Sequence, residues 1–320
     1  MDLDPPGGQA LQCSVVIRAF NEAAHIGRLL EGIAHQTAVR VEVIVVDSGS
    51  TDATAEIAEQ HGARVLHIPS AEFTFGRSLN LGLEATRHEY VVLASAHVYP
   101  LYPDWIECLL RPFKDPKVAV VYGKQRGGPG GNFSERQIFR HWYPDSDSGE
   151  RSGPFCNNAN AAIRRGLWEK HPYDEGLTGL EDVAWAKWAQ QEGYAVHYAA
   201  QAEIIHIHHE TPRGVYNRYR REAMAFKRIF TEAHFTLYDF ARLAGSNIVS
   251  DLAYARRESL LREHVLSIVW FRAAQFWGTY QGYRHASPVT QQLRETFYYP
   301  PGHAGREGDV RPVAPIRYRD

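Results

Sequence analysis

Sulfur is scarce in this chain: three cysteines, Cys13, Cys108 and Cys156, and two methionines stand among 320 residues. An odd number of cysteines without C-x-x-C spacing argues against a disulfide framework or a thiolate zinc site and fits a reducing compartment. A cytoplasmic location is the expectation. An excess of either charge is also missing. The 35 Lys and Arg residues nearly balance the 37 Asp and Glu residues, so no overall field recommends nucleic acid as a partner, although the chain after residue 211 is locally rich in arginine. Long apolar runs are missing too. The most apolar late segment, Val265–Phe271, is followed at once by Arg272 and falls far short of the roughly 20 residues a bilayer span needs. Residues 1–12 are acidic and rich in Pro and Gly, without the basic start and apolar stretch of a signal peptide, and are expected to be disordered.

What is present is a 44% hydrophobic composition, enough for one large core or two modest ones. From Cys13 to Gln125, short β-branched runs alternate with helical periodicity. Ser14–Arg18, Val41–Asp47, Val65–Pro69, Tyr90–Ala94 and Val118–Tyr122 read as strands, and the helical stretches between them imply a parallel α/β sheet. Ile26, Leu29, Leu30 and Ile33 mark the first helix behind Asn21-Glu22, and Ser50-Thr51-Asp52 offers N-cap chemistry to the second. Ligands of such sheets bind beyond the carboxyl ends of the strands, so Asn21, Asp47 and His97 are expected at one crevice. Gly127–Gly131 and the polar stretch to Gly153 read as a long mobile loop of the kind that closes over a site. From Arg213 the chain reads as helical, with a basic-aromatic face from Val215 to Phe230 and an aromatic segment from Trp270 to Tyr283, before a Pro-rich tail.

The string Ser14-Val-Val-Ile-Arg-Ala-Phe-Asn-Glu22, followed by Val45-Val-Asp-Ser-Gly-Ser-Thr-Asp52, resembles the opening of the family 2 glycosyltransferases, which have the GT-A fold. The likeness covers residues 13 to 230. It implies a nucleotide-diphospho-sugar transferase fold, α/β, with a mostly parallel central sheet flanked by helices, extended here by a helical C-terminal region. The implied organisation is a disordered 1–12, a catalytic domain 13–210 with a donor half 13–125 and an acceptor half 126–210, a helical region 211–299 and a tail 300–320. Family resemblance assigns Phe20, Glu22 and Asp47 to the nucleoside; Asp52 reads instead as a helix cap. Phe75-Gly-Arg-Ser-Leu-Asn-Leu-Gly-Leu83 is similar to the family's R-N-x-G segment, which places Arg77 and Asn80 toward the diphosphate at a helix start that favours an anion; a merely solvated Arg77 is the plain alternative. Gly153–Arg165 resembles the segment lining the pocket of the transferred sugar, with Asn157 as its candidate.

One position departs from the family. Where members carry D-x-D or D-A at a strand end, to hold the divalent ion that neutralises the leaving diphosphate, this chain has Ser95-Ala96-His97. Ser95 and His97 are donor-site candidates, and His97 is a metal ligand, a direct donor to phosphate, or the remnant of a lost metal site. An imidazole suits Mn or Zn better than Mg. A second cluster, Ile204-Ile-His-Ile-His-His-Glu210, alternates so that His206 and His208 share one side of an extended segment, which with His97 could complete a metal site for Mn or Mg.

The family's E-D pair falls on Glu181-Asp182. Inverting transfer needs one base to take the acceptor hydroxyl's proton; the resemblance gives that role to Asp182, with Glu181 orienting it. Helix-dipole stabilisation of two first-turn carboxylates is the plain alternative. The implied function is an inverting transfer of a sugar from a nucleoside diphosphate donor, UDP or dTDP sugars ahead of GDP sugars, to a glycan or lipid-linked glycan acceptor. The rival is a non-catalytic scaffold or sensor of nucleotide sugars. A nucleotidyltransferase lacks its Gly-rich basic loop here, and a His-based hydrolase lacks H-E-x-x-H. The basic-aromatic face from Val215 reads as core packing or as a peripheral membrane contact, and the aromatics near Trp270 as a helix contact or a homodimer interface.

Overall fold

The computed structural model describes residues 11–318 apart from 38, 70–71, 129, 147–148, 209 and 285–312. The β-branched runs form four strands, β1 (Leu11–Ala19), β2 (Val39–Asp47), β3 (Arg64–His67) and β4 (Tyr90–Ser95). All three pairings among them are parallel, in the order β3-β2-β1-β4. Val15, Val16 and Ile17 are fully buried, as expected of a strand covered on both faces. The helices α1 (Ile26–Ala34), α2 (Thr54–Gln60) and α3 (Phe75–Glu84) connect them. The i, i+3, i+4, i+7 set of α1 is buried as its spacing predicts. Leu11 and Gln12, expected to be disordered, are already strand, in register with Val39 and Arg40; residues 1–10 lie outside the described residues.

Beyond β4 the sheet becomes mixed, where the sequence suggested parallel strands. After β5 (Val98–Pro100), α4 (Trp105–Leu110) and β6 (Val118–Gly127), the chain makes an excursion and re-enters as β8 (Asn160–Arg164), inserted antiparallel between β4 and β6. Entering from the opposite end, β8 cannot run parallel to either neighbour. Through α6 (Arg165–Lys170) and α7 (Glu181–Gln191) the chain reaches β9 (Ala195–His206), parallel to β6 and antiparallel to β5. The nine-stranded order is β3-β2-β1-β4-β8-β6-β9-β5, with β7 (Gly149–Arg151) also on β9.

The excursion is not the mobile loop its Gly and polar content suggested. It contains β7 and a helix, α5 (Phe133–Trp142), whose Phe133, Glu135 and Phe139 are buried. Apolar anchors inside a polar stretch decide the outcome, because burying two phenylalanines outweighs modest helix propensity. Pro129 lies outside the described residues.

Three helices follow, α8 (Pro212–Ile229), α9 (Leu237–Arg257) and α10 (Leu261–Arg284). Val215, Tyr219, Ala223 and Phe226 of the basic-aromatic helix are buried, so these side chains belong to the core packing. Gly278 and Gly282 permit it: a Cβ at Gly282 would lie 2.5 Å from the Arg220 carbonyl oxygen. Arg272 of α10 is buried and forked onto both oxygens of Asp251 in α9, at 2.8 and 3.1 Å. Of the expected helical region, 285–299 lies outside the described residues, as does 300–312 of the tail. Residues 313–318 return to the sheet domain, where Ile316 N–H donates to Leu101 O at 2.9 Å. Among the described residues, no helix is long and apolar enough to cross a membrane.

Candidate functional site

Two turns stitched together form one wall of the crevice at the carboxyl ends of β1 and β2. Asn21 has a left-handed backbone, φ 54°, which its short polar side chain tolerates. Its Oδ1 accepts from Thr51 N–H at 2.8 Å, its own N–H donates to Ser50 Oγ at 2.8 Å, and Glu22 N–H donates to Thr54 Oγ1 at 2.7 Å. Asp52 accepts from Ala23 N–H at 3.1 Å and from the Thr54 hydroxyl; that hydroxyl, followed by backbone donors, holds its carboxyl below the usual value. Ala53 occupies the N-cap position of α2, and Asp52 both joins the turns and accepts from Thr54 N–H at the helix start at 3.1 Å. Asp47 is 2% exposed and accepts from Gly49 and Ser50 N–H groups. Phe20 projects from the end of β1 with 53% of its surface exposed.

Beside these turns stand three imidazoles, with His97 in contact with Glu22. Ser95 closes β4 opposite Arg18, and His97 follows in the turn before β5. Antiparallel pairing sets Val98 against His206 and lets Ile207 N–H donate to His97 O at 3.0 Å, so a residue early in the chain meets two from its far end. The ring centroids of His97 and His206 lie 5.0 Å apart, those of His97 and His208 5.3 Å, and those of His206 and His208 4.0 Å. One nitrogen from each lies within 4.8 Å of the others. Each Nδ1 already faces a side-chain oxygen: Glu22 Oε1 for His97 at 2.7 Å, Gln125 Oε1 for His206 at 2.7 Å and Glu135 Oε1 for His208 at 2.8 Å. His206 Nε2 is buried without a hydrogen-bond partner. Burial above all, then the neighbouring His208 and His97, pushes the His206 pKa well below its usual value, so its ring is neutral and able to coordinate. Three imidazoles can hold a divalent transition ion. His209 lies outside the described residues.

Glu181 and Asp182 open α7, with Leu180 before them in a left-handed conformation, φ 57°. Both carboxylates are buried, at 4% and 8% exposure. Asp182 Oδ2 accepts from Asn158 N–H at 3.1 Å and Oδ1 from Val183 N–H at 2.8 Å. Burial first, then the adjacent Glu181, pushes the Asp182 pKa up to about 7; the two N–H donors and Arg18 oppose this. A carboxyl at such a value can take a proton at neutral pH. Arg18 Nη1 lies 3.4 Å from Glu181 Oε1, and the guanidinium sits over the Phe75 ring at 4.9 Å. Sequence reasoning missed Arg18 and Glu135 and passed over Asn158 in favour of Asn157.

One candidate, Asn80, stands elsewhere than expected. The Asn80 amide is engaged on all sides: its Oδ1 accepts from Trp168 Nε1 at 2.9 Å and Tyr173 N–H at 3.0 Å, and its Nδ2 donates to Tyr173 O and Glu175 Oε1, each at 3.0 Å. It is 7% exposed and ties α3 to the 168–175 segment instead of presenting a group to a diphosphate. Asn157 Oδ1 accepts from Ala159 N–H at 2.9 Å, closing a local turn; its neighbour Asn158 is the one that touches Asp182. Arg77 is half-exposed and pairs with Glu72 at 2.5 Å and Glu175 at 3.7 Å.

The profile of the Glycosyl transferase family 2 matches residues 14–171. Over 222 residues the chain is 28% identical to the O-antigen chain rhamnosyltransferase RfbN of Salmonella typhimurium, covering 65% of this chain and 70% of that one. Over 196 residues it is 28% identical to the O-antigen chain rhamnosyltransferase WbaN of Salmonella anatum, covering 58% of this chain and 62% of that one. In fold it resembles the mannosyltransferase PcManGT from Pyrobaculum calidifontis, solved with GDP-Man and Mn2+, with a TM-score of 0.57 at 20% identity over 93% of this chain and 90% of that one. Glucosyl-3-phosphoglycerate synthase from Mycobacterium tuberculosis, solved with Mn2+, UDP and phosphoglyceric acid, gives a TM-score of 0.52 at 21% identity over 71% and 84%.

Proposed function

Because the chain is a family 2 glycosyltransferase with the GT-A fold, we propose that it moves one sugar from a nucleoside diphosphate donor to a hydroxyl of a glycan or lipid-linked glycan, inverting the anomeric centre. The observation that carries this reading is the pairing, at the carboxyl end of β1, of a carboxylate poised near neutral pH with a cluster of three imidazoles. Arg18 connects them, since its carbonyl accepts from Ala96 N–H beside His97 while its side chain reaches Glu181.

Asp182 is the general base. The acceptor oxygen forms its bond to the anomeric carbon as that carbon's bond to the diphosphate oxygen breaks; Asp182 takes the hydroxyl proton, and the nucleoside diphosphate leaves with the electron pair. Glu181, held by Arg18, orients the base. Phe20 offers its exposed ring to the base of the nucleotide, Glu22 and Asp47 line the nucleoside site, and Ser95, Arg77 and Asn157 stand at the donor's diphosphate and sugar. Asn80 supports this surface from beneath. His97, His206 and His208 fit a divalent ion, as the unpartnered buried Nε2 of His206 indicates. Such an ion would offset the charge of the departing diphosphate.

Support for the donor class comes from the nucleotide and Mn2+ bound in the solved neighbours, and for the acceptor class from the O-antigen names of the relatives. UDP- and dTDP-linked sugars, with rhamnose the first sugar to try, are the expected donors. The test is transfer from a panel of such donors, with the product anomer read by NMR. Inversion is expected, and retention of configuration would overturn the mechanism.

A further inference from the structure

We infer that Glu135 is a positioning residue for the metal site, and that carboxylates lying behind the imidazoles replace those the strand end lacks. The inference rests on the metal-dependent reading above. Ser95-Ala96-His97 brings no carboxylate to the ion. The structure supplies the missing charge one layer out. Glu22 stands behind His97 at 2.7 Å and Glu135 behind His208 at 2.8 Å, each facing Nδ1. Arg218 of α8 lies 2.7 Å from Glu135 and 2.7 Å from Glu210. Three carboxylates against one guanidinium leave two formal negative charges around the cluster, matched to a dication.

Glu135 is not itself a ligand. Its side chain is 4% exposed, and the same Oε1 accepts from His208 and from Arg218. What it can do is fix one tautomer: with Nδ1–H donated to the carboxylate, the His208 ring must offer Nε2 to an ion, and its basicity rises. Gln125 does the same for His206 without charge. The nitrogen facing the ion is therefore Nε2 in all three rings. Because Arg218 belongs to α8, the C-terminal helices contribute to this support, which gives them a part in donor binding as well as in packing.

The test uses the full chain loaded with Co2+ as a probe, without donor or acceptor. Visible absorption on titration gives the affinity, and proton NMR shows hyperfine-shifted, solvent-exchangeable Nδ1–H signals. Three such signals are expected for the native chain. Glu135→Leu should weaken Co2+ binding by about 10- to 100-fold, the usual effect of losing such a partner, and should broaden or remove one exchangeable signal. Glu135→Gln keeps an acceptor oxygen but removes the charge, and should retain all three signals with an affinity between those of the native chain and Glu135→Leu, which a role in folding alone would not produce. Native affinity and three sharp signals in Glu135→Leu would overturn the positioning role. Fewer than three exchangeable signals in the native chain would overturn the Nε2 assignment, and no Co2+ binding by the native chain would overturn the metal reading itself.

Discussion

Arg18 Nη1, at the carboxyl end of β1, lies 3.4 Å from Glu181 Oε1 in the first turn of α7. This contact joins the strand carrying the nucleotide wall to the helix carrying the base. Arg18 Nε and Nη1 are buried and have no hydrogen-bond partner, so the guanidinium acts on the carboxylates through charge rather than through directed bonds. Burial and Glu181 raise the Asp182 pKa, and Arg18 adds to the two N–H donors that oppose them.

Replacing that cation tests the relationship. In Arg18→Met, only the Asn158 and Val183 N–H donors still oppose the raising effect of burial and Glu181 on Asp182, so the acidic limb of the kcat–pH profile should move upward, by about one unit at most for a single partly screened charge. A profile that stays in place while kcat falls would assign Arg18 a purely structural role.

Asp182→Asn should lower kcat by about 10²- to 10⁴-fold, the range of general base catalysis, and leave nucleotide affinity nearly unchanged. Stability should respond in the opposite direction. The native carboxyl holds its proton up to about 7 while the unfolded one releases it near the ordinary value of 3.8, so the native chain loses stability as pH rises through that window. The variant lacks this slope. Its melting temperature should exceed the native one increasingly from pH 5 to pH 8, and parallel melting curves across that range would contradict the burial of an ionising Asp182.

Asn80→Ala separates a structural from a ligand-binding role. Loss of four hydrogen bonds, three of them buried, strands Trp168 Nε1 and the Tyr173 backbone, which should cost about 1–3 kcal/mol in denaturant unfolding. Nucleotide affinity of the folded fraction should stay within a few-fold of native. A stable variant with a large loss of diphosphate affinity would restore Asn80 to the donor site.

Asp251→Ala leaves Arg272 charged and buried between α9 and α10, a change that should destabilise the chain by about 3–5 kcal/mol. Arg272→Met with Asp251→Leu removes both charges and should recover most of that loss. Equal stability of the single and double variants would show that the pair is solvated in solution.

The first half of the sheet is legible in the sequence because its strands are buried on both faces and its helices keep a clean apolar spacing. Period-two alternation likewise put His206 and His208 on one side. Convergence with His97 is a different matter, since it depends on the antiparallel register between Val98 and His206, which no local pattern encodes. Helix α5 was hidden by the Gly-rich stretch before it and by its own Arg and His content; with it went Glu135, whose partners are two elements from later in the chain. The spacing of Phe133 and Phe139 was the one available signal. Asn80 looked like a ligand-facing amide because a motif cannot distinguish an exposed amide from one saturated by Trp168 and Tyr173. Asn158 was passed over in favour of Asn157 because it meets Asp182 through its backbone N–H, which any residue would supply.

In the proposed function, the nucleotide-diphosphate site depends on an ion held by three imidazoles. Calorimetric titration of the chain with UDP and dTDP, in Mn2+, in Mg2+ and in chelator, tests it most directly, with His206→Ala run alongside. Binding of one nucleotide in Mn2+, weaker in Mg2+ and lost both in chelator and in His206→Ala, is the predicted result. Binding of equal strength in chelator and in Mn2+ would contradict it.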